Sequence, residues 1–190
     1  MARPSVEDRR RLRRELVRPL LKVRQIREFR RRPIIGADLH AIGEVARWSG
    51  SGGNRQPWRF VFVTDRSAIR KLADAGMPQT RSLSTAAAVV VTVLPDDDER
   101  ALTDSFDEGR VAERVMAAAY LLGLGSAVMR IRSNALPAVR EILSIPQDRV
   151  VRSMVALGHP TAEALKLKST GGEARLPRNE VVYHGMWPDD

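Results

Sequence analysis

The chain has no cysteine, which excludes disulfides and thiolate catalysis and is compatible with a cytoplasmic protein. It has no apolar run long enough to cross a bilayer, so no membrane span is expected. The first residues carry charge without the apolar core of a signal peptide, so no secretory leader is expected. The three histidines, His40, His159 and His184, lie far apart with no carboxylate at metal-ligand spacing, which argues against a zinc or iron site. No serine stands in a nucleophile-elbow pattern, and this sets Ser-His-Asp hydrolysis aside. Gly123 and Gly125 follow a helical pattern rather than a strand and lack a third glycine, so they are no dinucleotide fingerprint.

What is present is a lopsided charge. Residues 1–32 hold 13 Lys and Arg against 4 Asp and Glu, a net of +9. The remainder holds 32 − 13 = 19 basic and 23 − 4 = 19 acidic residues, a net of zero. An arm of this kind could contact phosphates of a nucleic acid. No zinc-finger, basic-zipper or helix-turn-helix pattern supports that, and a solvated basic helix whose last turns hold an anionic ligand is the favoured reading.

The 190 residues suffice for one domain with a sizeable core, taken as 1–190 with a basic helical arm at 1–18 and a C-terminal extension at 161–190. Residues 5–24 read as one helix, or two broken near Pro19, with Leu12, Leu16 and Leu20 in a stripe. Asp38 to Ser49 reads as a second helix with Asp38 as its cap. Arg59 to Thr64 is a strand, and Asp65 opens a helix through Leu72. Ala86 to Leu94 is a β-branched run suited to a central buried strand. Asp107 to Gly123 is the longest helix, apolar nearly all round after Met116, with Gly125 just past its end. Met116 is read as core filling. Ser126–Ile131 and Ser153–Leu157 are strands, Leu136–Leu143 a helix, and Val181–Tyr183 a possible edge strand. Helices and strands mixed around one sheet indicate an α+β fold.

The informative stretch is Gly50-Ser51-Gly52-Gly53-Asn54-Arg55-Gln56-Pro57-Trp58-Arg59-Phe60. Its glycines permit positive φ and close approach to a flat ligand. Asn54 and Gln56 both donate and accept, which suits a heteroaromatic edge or a sugar-like chain. Arg24 and Arg27, three residues apart, could share one face and grip a phosphate.

These residues carry a resemblance. Gly-Gly-Asn-x-Gln-Pro-Trp-x-Phe before a strand resembles the central motif of the nitroreductase family of FMN-dependent oxidoreductases. Arg24-Gln25-Ile26-Arg27-Glu28-Phe29 is similar to that family's N-terminal signature. Asp107-Glu108-Gly109-Arg110 with Leu122-Gly123-Leu124-Gly125-Ser126 is similar to a third block, and Val155-Ala156-Leu157-Gly158-His159-Pro160 to a fourth. All four come in the family's order. The family's Arg-x-Ser-x-Arg would fall on Val23, Gln25 and Arg27, so Val23 cannot supply its contact.

The resemblance implies a nitroreductase-like fold: a central, mostly antiparallel sheet flanked by helices, with one long buried central helix. It implies a homodimer with FMN at the subunit interface, NADH or NADPH as hydride donor, and a small-molecule acceptor such as a nitroaromatic or quinone. Arg24, Arg27 and Arg175 are implied for the FMN phosphate, and Gln25 for phosphate or ribityl. Gly53, Asn54 and Gln56 are implied at the ring edge or ribityl chain, and Met129 and Arg130 near the flavin N5 edge through backbone donors. No general acid or base is assigned. The stretches between Leu72 and Ala86 and between Leu94 and Asp107 are short, implying an open or partner-covered cleft. The alternative is a non-catalytic flavin-binding or nucleic-acid-interacting protein using the basic arm.

Overall fold

The β-branched run Val89-Val90-Val91-Thr92-Val93 packs best where both of its faces are covered. It forms β2 (Ala88–Pro95), between β1 (Arg59–Val63) and β4 (Arg149–Gly158), with β3 (Gly125–Arg130) beyond β4. The sheet order is β1-β2-β4-β3 and every pair is antiparallel. The computed structural model describes residues 5–166 and 175–187.

The sheet is the middle of three layers. On one face lie α3 (Arg66–Ala75) and α5 (Leu136–Leu143), and Val89, Val91 and Val93 point into that core with Ile69, Leu72 and Val139. On the other lie α2 (Gly36–Arg47) and α4 (Ala101–Leu121), and Ala88, Val90 and Leu94 meet Ile42, Val111 and Val115 there. This two-sided burial is why an antiparallel strand reads as an unbroken apolar run. In β4 an extra residue interrupts the ladder, since Val91 pairs with Met154 but Val93 with Val151.

Several boundaries differ from expectation. The arm is one helix, α1 (Val6–Lys22), with Pro19 inside it and a Ser5–Asp8 capping box at its start. No residue of α1 is buried. Helix α2 begins at Gly36 behind Ile35, so Asp38 sits in the first turn, where its charge complements the helix dipole, rather than at the cap. Helix α4 starts well before Asp107, and residues 81–85 form a 3₁₀ turn after α3, so neither inter-element stretch is bare.

At the end of α4 Gly123, not Gly125, takes the left-handed position, with φ 72°. Its N–H donates to the Tyr120 carbonyl at 3.0 Å and that of Leu124 to Ala119 at 2.8 Å. Helix α4 is buried on one side only: Leu102, Phe106 and Leu121 are 86%, 70% and 67% exposed. Within the expected C-terminal extension a short α6 (Ala162–Leu165) forms, and residues 167–174 lie outside the described residues. Val181–Tyr183 is not a strand: Val181 closes a 3₁₀ turn over Arg178–Glu180, and the Tyr183 ring lies 5.2 Å from that of Trp187.

Candidate functional site

The basic segment after α1 is laid onto the sheet by two glycines. Gly125 of β3 and Gly158 of β4 are direct cross-strand partners. A Cβ on Gly125 would stand 2.7 Å from Ile26 Cγ2, and one on Gly158 2.7 Å from Phe29 Cβ. The missing side chains are therefore the seats for Ile26 and Phe29. Backbone bonds fix the seating: Ile26 N–H donates to Ser126 O at 2.7 Å, Arg30 N–H to His159 O at 2.8 Å, and Phe29 N–H to Thr85 Oγ1 at 3.2 Å. With residues 26 and 29 turned in, Arg27 and Glu28 are turned out.

The basic and amide groups here differ in what they already hold. Arg24 donates to the carbonyls of Ala164, Leu165 and Lys166, where helix α6 ends. Arg27 is exposed and has no hydrogen-bond or ion-pair partner among the described residues. The Gln25 amide donates to Met116 Sδ at 3.8 Å, while its Oε1 is buried without a donor. An orphaned acceptor and, two residues along, an unpartnered guanidinium are groups that a phosphate-and-polyol ligand would complete. The cavity beneath this segment, about 60 Å³ between Val23, Met116, Tyr120 and Ser126, has room for water but not for a ring system.

The glycine-rich loop lies elsewhere, against the first half of α4. Three of its residues have positive φ: Gly53 at 57°, Asn54 at 54° and, past Arg55, Gln56 at 50°. Left-handed φ at a glutamine is uncommon and marks local strain, which clusters at ligand sites. Gln56 N–H donates to Ser51 Oγ at 2.8 Å, and its amide to Asn54 Oδ1 at 3.1 Å, so the two amides sit side by side on the exposed surface. Nothing lies within 4 Å of a Cβ on Gly53, so Gly53→Ala carries a purely conformational penalty. It should cost about 1 kcal/mol in urea unfolding.

Met129 packs in the core opposite Met154, so only its backbone faces the strand edge. Arg130 is exposed and paired with Ser153. Arg175 is exposed at the start of the second described stretch. Within one protomer the two halves are not together. Gln25 touches α4 at Met116, whereas the loop touches it at Asp107, nine residues and about 14 Å earlier along the helix.

Three carboxylates not assigned to the site by sequence reasoning, Asp104, Asp107 and Glu108, are buried on α4. Their spacing of three and four residues on an otherwise apolar face was the available signal. Glu108 Oε1 accepts from Ser153 N–H at 3.0 Å and from Ser153 Oγ–H at 2.7 Å, using the donor that the β4 bulge sets free. Burial pushes the Glu108 carboxyl above its ordinary range, opposed by the Ser153 hydroxyl, the Arg152 charge and the Ser153 N–H. Folding therefore favours the protonated acid, and this stabilisation is complete below the ordinary glutamate pKa and lost as pH rises through the raised value. Glu108→Gln stays neutral and still accepts from Ser153. Its Tm relative to the parent should rise in thermal melts as pH climbs from the ordinary glutamate range, about 4, through the raised value.

Comparison with known proteins agrees with this architecture. A model of the nitroreductase family matches residues 21–95. A candidate NADH dehydrogenase/NAD(P)H nitroreductase of Archaeoglobus fulgidus is 32% identical over 78% of this chain and 87% of its own. The chain belongs to the nitroreductase family. A Vibrio harveyi NADPH-flavin oxidoreductase is 26% identical over 91% of this chain and 75% of its own. The solved structure of an FMN-dependent nitroreductase from Clostridium difficile R20291 shares the fold, with a TM-score of 0.76 at 22% identity over 88% of this chain and 98% of that one. This nitroreductase-family chain is thus an oxidoreductase built on a helix-flanked antiparallel sheet, and no helix among its described residues is long and apolar enough to cross a membrane.

Proposed function

We propose that this chain is an FMN-dependent NAD(P)H oxidoreductase that reduces a nitroaromatic, quinone or similar small acceptor, as a single nitroreductase-like domain over 1–190 working in the cytoplasm. The observation that carries the reading is the seating of the Gln25–Phe29 segment on the Gly125–Gly158 pair. It turns Arg27 outward without a protein partner and leaves Gln25 Oε1 buried without a donor. The names of the relatives, which mention flavin, FMN and NAD(P)H, support the same cofactors.

Bound FMN would supply the redox chemistry, taking a hydride from NADH or NADPH and reducing the acceptor. The chain's part is to bind and orient. Arg27 and Arg175 would meet the phosphate with charge-assisted bonds. Arg24, already engaged by the end of α6, would hold that helix beside the cradle. Gln25 would accept from a hydroxyl of the ribityl chain. Gly53, Asn54 and Gln56 would address the ring edge, with backbone donors at Met129 and Arg130 opposite.

A homodimer would unite the separated halves, the loop of one protomer meeting the Arg27 segment of its partner. Bare apolar surface supports it: Leu12, Leu16 and Leu20 along α1, and Leu102 and Phe106 along α4, are all more than half exposed. The test is the visible absorption spectrum of the purified protein and of the supernatant after heating, followed by NADH and NADPH oxidation with added acceptors. Flavin released as FMN, with turnover, is the expected result. A colourless protein that takes up no added FMN would overturn the reading.

A further inference from the structure

The glycine-rich loop is tied to α4 at two points, on either side of Gly53 and Asn54 and just before Gln56. Gly52 N–H donates to Asp107 Oδ2 at 2.9 Å, and Arg55 Nη1 meets Asp104 Oδ1 at 3.4 Å. Arg110 Nη1 holds the other oxygen of Asp107 at 3.3 Å. Both carboxylates are almost wholly inaccessible, Asp104 at 1% and Asp107 at 2%, whereas residues 52–56 of the loop are exposed.

Burying a carboxylate is unfavourable unless hydrogen bonds compensate, and Asp104 Oδ2 has none. An apolar residue at either position would pack this helix with less loss of solvation. Crowding does not explain the ties either. A Cβ on Gly52 would meet Thr103 Cγ2 at 3.5 Å and Asp107 Oδ2 at 3.8 Å, which is ordinary contact. What the carboxylates do is hold the loop, Asp107 by the backbone N–H of Gly52 and Asp104 by the side chain of Arg55: between these two residues lie Gly53 and Asn54 in the left-handed region, and Gln56 follows directly.

We infer that Asp107, seconded by Asp104, is a positioning residue for the flavin-binding loop, fixing its strained backbone before ligand arrives so that Asn54 and Gln56 are presented at the ring edge. The inference rests on the reading of this loop as part of the FMN site. A loop already in its binding conformation loses less conformational freedom when the ligand binds. Asp107 touches neither ring nor acceptor; it acts through the Gly52 N–H.

The test compares the parent protein with Asp107→Ala and Asp107→Asn by FMN titration, by the midpoint potential of the bound flavin, and by amide exchange at Gly52. Asp107→Asn keeps an acceptor for Gly52 and should bind FMN within about threefold of the parent. Asp107→Ala should free the Gly52 amide, weaken FMN about tenfold or more, and shift the potential. A structural role alone would lower Tm and leave the affinity and potential of the folded variant unchanged, and that result overturns the inference. Should Asp107→Ala fail to fold, Arg55→Ala loosens the other tie, and unchanged FMN affinity and potential there overturn it equally. A parent protein that binds no FMN sinks the underlying reading instead, a separate outcome visible before any variant is made.

Discussion

Gly158→Ala should destabilise the protein by about 3 kcal/mol and remove flavin binding with it, although only one methyl group is added. The new Cβ would stand 2.7 Å from both Cβ and Cγ of Phe29 and 2.8 Å from Cδ1. The Cβ is the root of the side chain, and no rotamer change moves it away. The backbone cannot retreat easily, because the residues around Phe29 are bonded to strand and turn: Arg30 N–H to His159 O at 2.8 Å and Thr161 N–H to Glu28 O at 3.3 Å. Phe29 itself is 3% exposed and packs in the core beneath α3 and α5. Urea unfolding measures the loss. The double variant Phe29→Ala/Gly158→Ala should be less unstable than the sum of the single changes, since losing the ring removes the Cγ and Cδ1 clashes, though not the Cβ clash, and the added methyl partly fills the space the ring leaves. Additive effects would mean that Phe29 is not what occupies the space above Gly158.

Arg27→Ala should weaken FMN about ten- to a hundredfold, through loss of a charge-assisted bond worth roughly 1.5–3 kcal/mol. The ligand-free protein should keep its Tm, because Arg27 is exposed and no described residue depends on its guanidinium. Arg24→Ala is the informative contrast. Its guanidinium caps the carbonyls at the end of α6, so the change should loosen the 162–166 segment. Fluorescence titration with FMN separates the two: unchanged affinity in Arg27→Ala would remove this residue from the phosphate cradle.

Some of this was legible from residue order. The run Ala86–Leu94 announced a strand covered on both faces, and β2 is that strand. Leu136–Leu143 announced its helix to the residue, since Pro137 favours a first turn and the apolar spacing is regular. Met116 was readable as core filling and lies in the α2–α4 core. The family was readable because four motifs stood in order, and each is a short local pattern.

The misreadings share a cause. An acidic residue before an apolar stripe usually caps a helix, yet α2 starts at Gly36 and takes Asp38 into its first turn. Gly125 follows a helical pattern as a terminator would, but Gly123 suffices for that, and what requires glycine at 125 is Ile26, distant in sequence. Val181–Tyr183 has strand-forming residues but pairs with no described strand of its own protomer, and pairing with a partner subunit would need a second chain.

Sequence alone determined the fold class, the oxidoreductase family and the residue types at the candidate site, because periodicity and short motifs are properties of neighbours along the chain. Tertiary structure alone decided which of those residues already hold protein partners. Arg24 and Arg27 look equivalent three residues apart, but only folding brings the end of α6 to Arg24 and leaves Arg27 in solvent. The same holds for Gly125 and Gly158 as seats for Ile26 and Phe29, and for Asp107 under the strained loop. Each is a contact between segments far apart in the chain, and no local pattern encodes which segment will arrive.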